Sequence, residues 1–362
     1  MQIALTKKLA DAMGLKPSAI QKEANPLFSW TANWTNAWAD EGEDMLVLVN
    51  NATRFTVAVY QVSREEMDYA EEIMQEAIRS TLLAMNVNPE IVEEYMRLAG
   101  DVEFVQNKDR SRAAWVTRAG LECALHVGRE YEWVEDMFCD QVGINANYYS
   151  VRKNQGENFY PYQAMFQSLT ELTGKPLYNF RAFELLVTLD LEVYKATRRL
   201  IVPADIGFSQ LHKVLQSVFD WENRHLYDFR LYDNSEQLIT MFVPFEETLE
   251  LHPEAVLQEK YTLSDVFPEH KSMLYTYDMG DNWVHEIELL QVLENYDQES
   301  PYLLEASGQA PPEDVGGVPG FLLFREIMLD PKHPQHDELK AWFRFWNPEF
   351  SYWKRQPRPI RV

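Results

Sequence analysis

Between residues 143 and 177 the chain turns polar and is punctuated by Asn145, Asn147, Asn154, Gly156, Asn158, Pro161, Gly174 and Pro176. Residues of these types favour turns over continued helix or strand. A single core does not run through such a stretch, and 362 residues exceed what one core usually holds. Two domains are expected, over residues 1–145 and 178–355, with 146–177 as a linker.

The apolar period on either side sets the element types. Residues 2–6, 45–50 and 54–60 read as strands, the last two as a hairpin around Asn50-Asn51-Ala52-Thr53. Met67, Ile73, Met74, Ile78, Leu82 and Leu83 recur at helical spacing, and Pro89 suits a first helical position. Residues 111–138 read as a further helical region carrying Trp115, Leu121, Leu125, Tyr131 and Trp133. Beyond residue 180 the pattern changes to paired strands at 183–191 and 198–203. A helix marked by Leu211, Val214, Leu215, Val218 and Phe219 follows, with Asp205 or Ser209 as its expected N-cap. Strands follow at 229–232, 238–243, 273–277 and 283–290, then helices from 321 and 338. Strands and helices in this order, without regular βαβ alternation, indicate an α+β fold. The first domain reads as small and mixed α/β with a helical segment, the second as α+β on a mainly antiparallel sheet.

Charge narrows the function classes. There are 57 Asp and Glu against 33 Lys and Arg, a formal net charge of -24. Nucleic-acid affinity rests mainly on cations that displace phosphate counterions, so direct DNA or RNA binding is disfavoured. A protein partner, basic in character, suits this charge better. The local exception is a C-terminal tail with Lys354, Arg355, Arg358 and Arg361. The two cysteines, Cys123 and Cys139, make no disulfide framework. No secretory h-region follows Met1, and no apolar run reaches membrane-spanning length, so a cytoplasmic setting is expected.

No P-loop, G-x-G-x-x-G, H-E-x-x-H or G-x-S-x-G motif occurs, and no cofactor is indicated. Candidate chemistry concentrates after residue 200. Around the turn 278–281, Tyr275 and Tyr277 share one strand face, and Trp283 and His285 share another, beside Asp278 and Asp281. Imidazole next to carboxylates suits a metal or acid–base site. A plain turn serves equally, with Asp278 capping the backbone, Gly280 at positive φ and Asp281 binding nearby amides. Trp221 precedes His225, Tyr227 and Phe229, which alternate on one expected strand face; a packed aromatic face or a second imidazole for the site would both fit. Pro311-Pro312-Glu313-Asp314-Val315-Gly316-Gly317 is a rigid, glycine-closed loop whose carboxylates suit a cation or a helix start. His225, His285, Asp281 and Glu313 are the metal-ligand candidates.

Several of these segments also carry a family likeness. Arg198-Arg199-Leu200-Ile201-Val202-Pro203, Leu211–Gln216, Trp221 with His225–Phe229, Tyr275–Ile287, and Pro311–Gly317 followed by Gly320-Phe321 stand in the order of one family. In them the chain resembles the plasmid pRiA4b ORF-three-like proteins, also described as insertion-element passenger proteins. That resemblance implies a compact α+β fold and brings no established activity. The chain departs from the pattern at Thr197, where Trp is usual. It also has no cysteine after Cys139, so a thiolate site before Pro311 is not implied. The N-terminal part, through Trp30, Ala32, Asn33, the strand ending at Asn50, and Asn107 with Arg110-Ser111, resembles a separate domain family of unknown function.

The expected function is non-enzymatic binding, in a groove between the 275–285 hairpin and the 313–317 loop, with an association to mobile elements implied by the resemblance. One alternative is a metal-dependent hydrolase-type enzyme using His225 and His285 with Asp281, Glu313 or Asp314. A second is nucleic-acid association through the basic tail and Arg198/Arg199.

Overall fold

A computed structural model describes residues 1–19, 25–37, 42–130, 140–152, 156, 158–343 and 354–361. Tyr131, Trp133, Cys139 and Asn154 lie outside the described residues. The chain divides into two compact units, Met1–Asn179 and Phe180–Val362. It is an α+β protein of two domains.

In the first unit β1 (Gln2–Leu5) is followed by α1 (Lys7–Ala12), β2 (Ser29–Thr35), β3 (Met45–Asn50) and β4 (Thr56–Tyr60). Next come α2 (Ala70–Ala84), α3 (Pro89–Ala99), β5 (Glu103–Gln106), α4 (Arg110–Glu130) and α5 (Asp140–Asn147). A short β6 (Val151–Arg152) and β7 (Asn158–Phe159) pair with each other before α6 (Pro161–Thr173). The five long-range strands form a mixed sheet in the order β4-β3-β2-β1-β5, parallel only on the two sides of β1. Strand β3 is buried along its whole length because both faces are covered. Leu46 and Leu48 join the core with Ile73, Met74, Ile78 and Leu82 of α2, while Met45, Val47 and Val49 join Val116, Ala119 and Cys123 of α4.

Local chemistry fixes the ends of these elements. The β3–β4 hairpin turns where expected, because the buried Asn50 Oδ1 accepts from Ala52 N, Thr53 N and Thr53 Oγ1. Helix α3 begins at Pro89, whose missing N–H loses nothing there, and Asn88 Oδ1 caps Glu90 N at 3.0 Å.

The stretch 146–177, expected as a linker, is not one. It holds α6, whose Tyr162, Met165, Phe166 and Leu169 are buried in the first core. Pro161 sits at the start of this helix and Gly174, at φ +67, ends it, so two residues read as linker punctuation are helix boundaries instead.

The second unit runs β8 (Phe180–Asp190), β9 (Lys195–Pro203), α7 (Phe208–Phe219), β10 (Tyr227–Tyr232), β11 (Leu238–Val243), α8 (Glu247–Leu251) and β12 (Ala255–Leu257). It continues through β13 (Ser272–Tyr277), β14 (Trp283–Tyr296), β15 (Tyr302–Ser307), α9 (Gly317–Leu329), α10 (His336–Trp342), β16 (Lys354–Arg355) and β17 (Arg358–Pro359). The sheet order is β12-β11-β10-β13-β14-β8-β9-β15-β16, antiparallel except for the β11–β12 pair, with β17 also on β15. Helix α7 buries Leu211, Val214, Leu215, Val218 and Phe219, the stripe its spacing requires. Its N-cap is Gly207, without a side-chain cap, and neither Asp205 nor Ser209 takes that role. Among the described residues no helix is long and apolar enough to cross a membrane.

A candidate cleft and side-chain cluster in the C-terminal unit

Strands β13 and β14 pair with Tyr275 opposite His285 and Tyr277 opposite Trp283. Side chains on one strand alternate between faces, so all four point to the same side, toward α7. They are core rather than groove: Tyr275, Tyr277 and His285 are fully buried, and Trp283 is 1% exposed. The His285 ring lies 4.7 Å from Phe219, 5.2 Å from Trp221 and 5.2 Å from Tyr275. Its Nδ1 donates to the Tyr275 carbonyl at 3.2 Å, and burial pushes its pKa down to about 3. His285 is therefore a buried core residue, and among the described residues it does not join His225 in a cluster of metal-ligand type. Tyr227 is likewise committed to packing: it stacks on His212 at 3.5 Å, and His212 in turn meets Tyr275 Oη and Asn223 Oδ1.

His225 does not share a face with Tyr227 and Phe229, because β10 begins only at Tyr227. It sits in the connection after α7 and faces two carboxylates. Its Nε2 is 3.1 Å from Asp314 Oδ1 and 3.6 Å from Asp278 Oδ2. Among the described residues His225, Asp278 and Asp314 form the one His and carboxylate group with three donor atoms within 4.8 Å of one another. The Nε2 separations fall within ion-pair range, yet this buried nitrogen makes no directed hydrogen bond. Distance and direction disagree here. Direction decides whether a hydrogen bond exists, so His225 and Asp314 are close without being bonded.

Three loops hold this arrangement. In the 278–282 turn, Gly280 N and Asp281 N donate to Asp278 Oδ1 at 2.9 and 3.2 Å, leaving Oδ2 toward His225. Asp278 and Asn282, at φ +57 and +55, adopt the left-handed conformation here, and Gly280 does not. Asp281 does not bind its own turn; its Oδ2 accepts Gly316 N from the 311–317 loop at 3.1 Å. Gly317, at φ +66, lets the two loops touch, since a Cβ there would stand 2.7 Å from the Asp281 carbonyl oxygen. Glu313 Oε1 accepts Tyr277 Oη at 2.5 Å and Glu222 N at 3.0 Å. Trp221 Nε1 donates to the Pro311 carbonyl at 3.0 Å. Asp281 and Glu313 are thus loop fasteners rather than ligands, and Asp314, itself at φ +58, is the acid that these bonds present.

Beside this cluster opens a cleft of about 250 Å³. Phe219 and Trp221 line it together with Pro311, Pro312, Trp342 and Phe343. Asp220, Glu222, Glu313 and Asp314 bring four carboxylates to the same lining, against the single guanidinium of Arg224. Trp342 is 50% exposed.

The sequence comparisons match one family in each of the two units. Residues 181–353 match the plasmid pRiA4b ORF-3-like protein family, and residues 2–164 match a domain of unknown function, DUF6933. An uncharacterised protein of Sinorhizobium fredii, y4hQ, is 39% identical over 158 residues, which are 43% of this chain and 77% of that protein. The chain belongs to the plasmid pRiA4b ORF-3-like family. A crystal structure of a protein of unknown function from Methanosarcina mazei Go1 is also similar, at 30% identity over 46% of this chain and 93% of that one, with a TM-score of 0.42.

Within the family segment, the two arginines of the Arg198-Arg199 pair already have partners in the protein. Arg198 is fully buried, donating to the carbonyls of Val218, Thr197, Ser307 and Gly308, and Arg199 pairs with Glu184. Arg355 of the basic tail is likewise occupied, gripping both oxygens of Asp220. Sequence reasoning missed Asp220, Glu222, Arg224, Trp342 and Phe343 as cleft residues. The signal within reach was Trp221 with acids on both sides; Trp342 and Phe343 gave none, since large aromatic residues are on average mostly buried.

Proposed function

We propose that the C-terminal unit is a recognition module whose cleft takes a cationic segment of a basic protein partner. The observation that carries this reading is the cleft lining around Trp221, Trp342 and Phe343: Asp220 pairs with Arg355 and Glu222 with Arg224, and Glu313 and Asp314 add two carboxylates that have no Lys or Arg partner among the described residues. Aromatic faces attract ammonium and guanidinium groups, and carboxylates at the rim select the same sign. The net charge of -24 supports it by favouring encounter with basic partners.

A fluorescently labelled Arg- and Lys-containing hexapeptide tests the reading by polarisation. Binding should weaken several-fold between about 50 mM and about 500 mM salt, as screening shortens the reach of the carboxylates. Trp342→Ala and Glu222→Gln should each weaken it, and an acidic hexapeptide should not bind. Equal binding of both peptides, or binding indifferent to both substitutions, sinks the reading.

A further inference from the structure

We propose that His225, Asp278 and Asp314 together bind one divalent first-row transition-metal ion. This goes beyond peptide recognition by the cleft: of the three donors only Asp314 also lines the cleft, and His225 and Asp278 do not.

The geometry comes first. An ion bonded at about 2.0–2.2 Å holds neighbouring donors roughly 3.0–3.5 Å apart. The Nε2–Oδ1 separation of 3.1 Å falls within that spacing, and the Nε2–Oδ2 separation of 3.6 Å lies just beyond it. The remaining carboxylate–carboxylate edge is within 4.8 Å, and the Asp314 side chain, 60% exposed, is free to close it. An ordinary imidazolium–carboxylate pair would direct an N–H at an oxygen. Here the buried Nε2 comes close to both acids and directs no hydrogen bond at either. Three donor atoms within 4.8 Å of one another that do not bond one another are the ground for proposing a third species between them.

The surrounding bonds fix the donors as a metal site needs. The two turn amides occupy Asp278 Oδ1 and so orient Oδ2, the outer-shell support that ligating carboxylates usually have. Asp278 and Asp314 both adopt left-handed backbone, a conformation that costs energy and persists where the surroundings impose it. The contacts of Gly316 and Gly317 with Asp281 hold the loop segment that follows Asp314 against the 278–282 turn. The donor set chooses the ion class. One imidazole with two carboxylates suits Mn²⁺ or Zn²⁺ better than Mg²⁺ or Ca²⁺, which prefer oxygen alone. Two carboxylates also balance the charge of a dication, and three protein donors leave coordination positions for water or a ligand.

Full-length protein stripped with EDTA and titrated with MnCl₂ tests the assignment by calorimetry and electron spin-echo spectroscopy. The expected result is one saturable equivalent of Mn²⁺ whose echo carries ¹⁴N modulation from an imidazole. His225→Gln should abolish that modulation. Asp314→Asn keeps a residue type at ease in left-handed backbone and should weaken binding about tenfold or more. His285→Gln should leave stoichiometry and ¹⁴N modulation unchanged. No saturable Mn²⁺ binding, or binding that keeps its affinity and modulation in both His225→Gln and Asp314→Asn, overturns the proposal. Unchanged circular dichroism of the variants separates lost ligation from lost folding. The peptide assay on Trp342→Ala is independent of these variants, so either conclusion can fail alone.

Discussion

At His285 the imidazole has exchanged water for the rings of Phe219, Trp221 and Tyr275. Its Nδ1 donates to the Tyr275 carbonyl, which the register places directly across the hairpin. His285→Ala should therefore act through packing, lowering stability by roughly 2–4 kcal/mol in urea titrations as other large-to-small core changes do. A loss below about 0.5 kcal/mol, the size of ordinary surface effects, would contradict the core assignment. The contrast with His225 lies in strand position. His285 is inside β14, where the pleat fixes its direction, whereas His225 precedes β10 and is aimed by loop contacts. The sequence showed both as histidines near aromatics, and only the first direction could be read from alternation.

Elements in the second unit are held to one another by loop-to-loop fasteners. The 311–317 loop is tied to the 278–282 turn through Gly316 N, the Gly317 backbone and Tyr277 Oη. Gly317→Ala would set a methyl 2.7 Å from the Asp281 carbonyl and strain a φ of +66. It should cost about 1–3 kcal/mol in thermal or urea unfolding. In the first unit Asn50 closes the β3–β4 hairpin with three accepted bonds and donates its Nδ2 to Leu27 O. Asn50→Ala strands buried backbone groups and should cost about 1–3 kcal/mol, measured as a fall in the urea midpoint. The hairpin was legible because its turn chemistry is local. The fastening of two loops more than thirty residues apart was not, because no period or cap records it.

Over the whole molecule, two buried histidines set the acid limit. Burial lowers His212 to about 4 and His285 to about 3, against about 6.5 for an exposed imidazole. The unfolded chain therefore binds protons below pH 6.5 that the native state refuses. Stability is fully present above that value and falls as pH drops through the window from about 6.5 to about 3–4, by up to roughly 1.4 kcal/mol per unit for each histidine. The urea midpoint should fall between pH 7 and pH 5, and a midpoint that holds or rises would refute the neutral-core account. Each unit also has its own core, so residues 180–362 expressed alone should unfold in one cooperative urea transition followed by circular dichroism.

Local rules were enough for much of this protein. Period and turn chemistry gave the α+β class, the β3–β4 hairpin, the buried stripe of α7 and the same-face pairs of the β13–β14 hairpin, because each depends on neighbours in sequence. The polar composition of 146–177 misled, since Pro161 and Gly174 bound a helix as readily as they break one. Tertiary contacts alone decided that α6 belongs to the first core, that Arg198 is buried, and that His225 meets Asp278 and Asp314. Those outcomes depend on which strands become neighbours and how closely loops approach. That choice is made by burying apolar area over the whole unit, and no short window of sequence contains it.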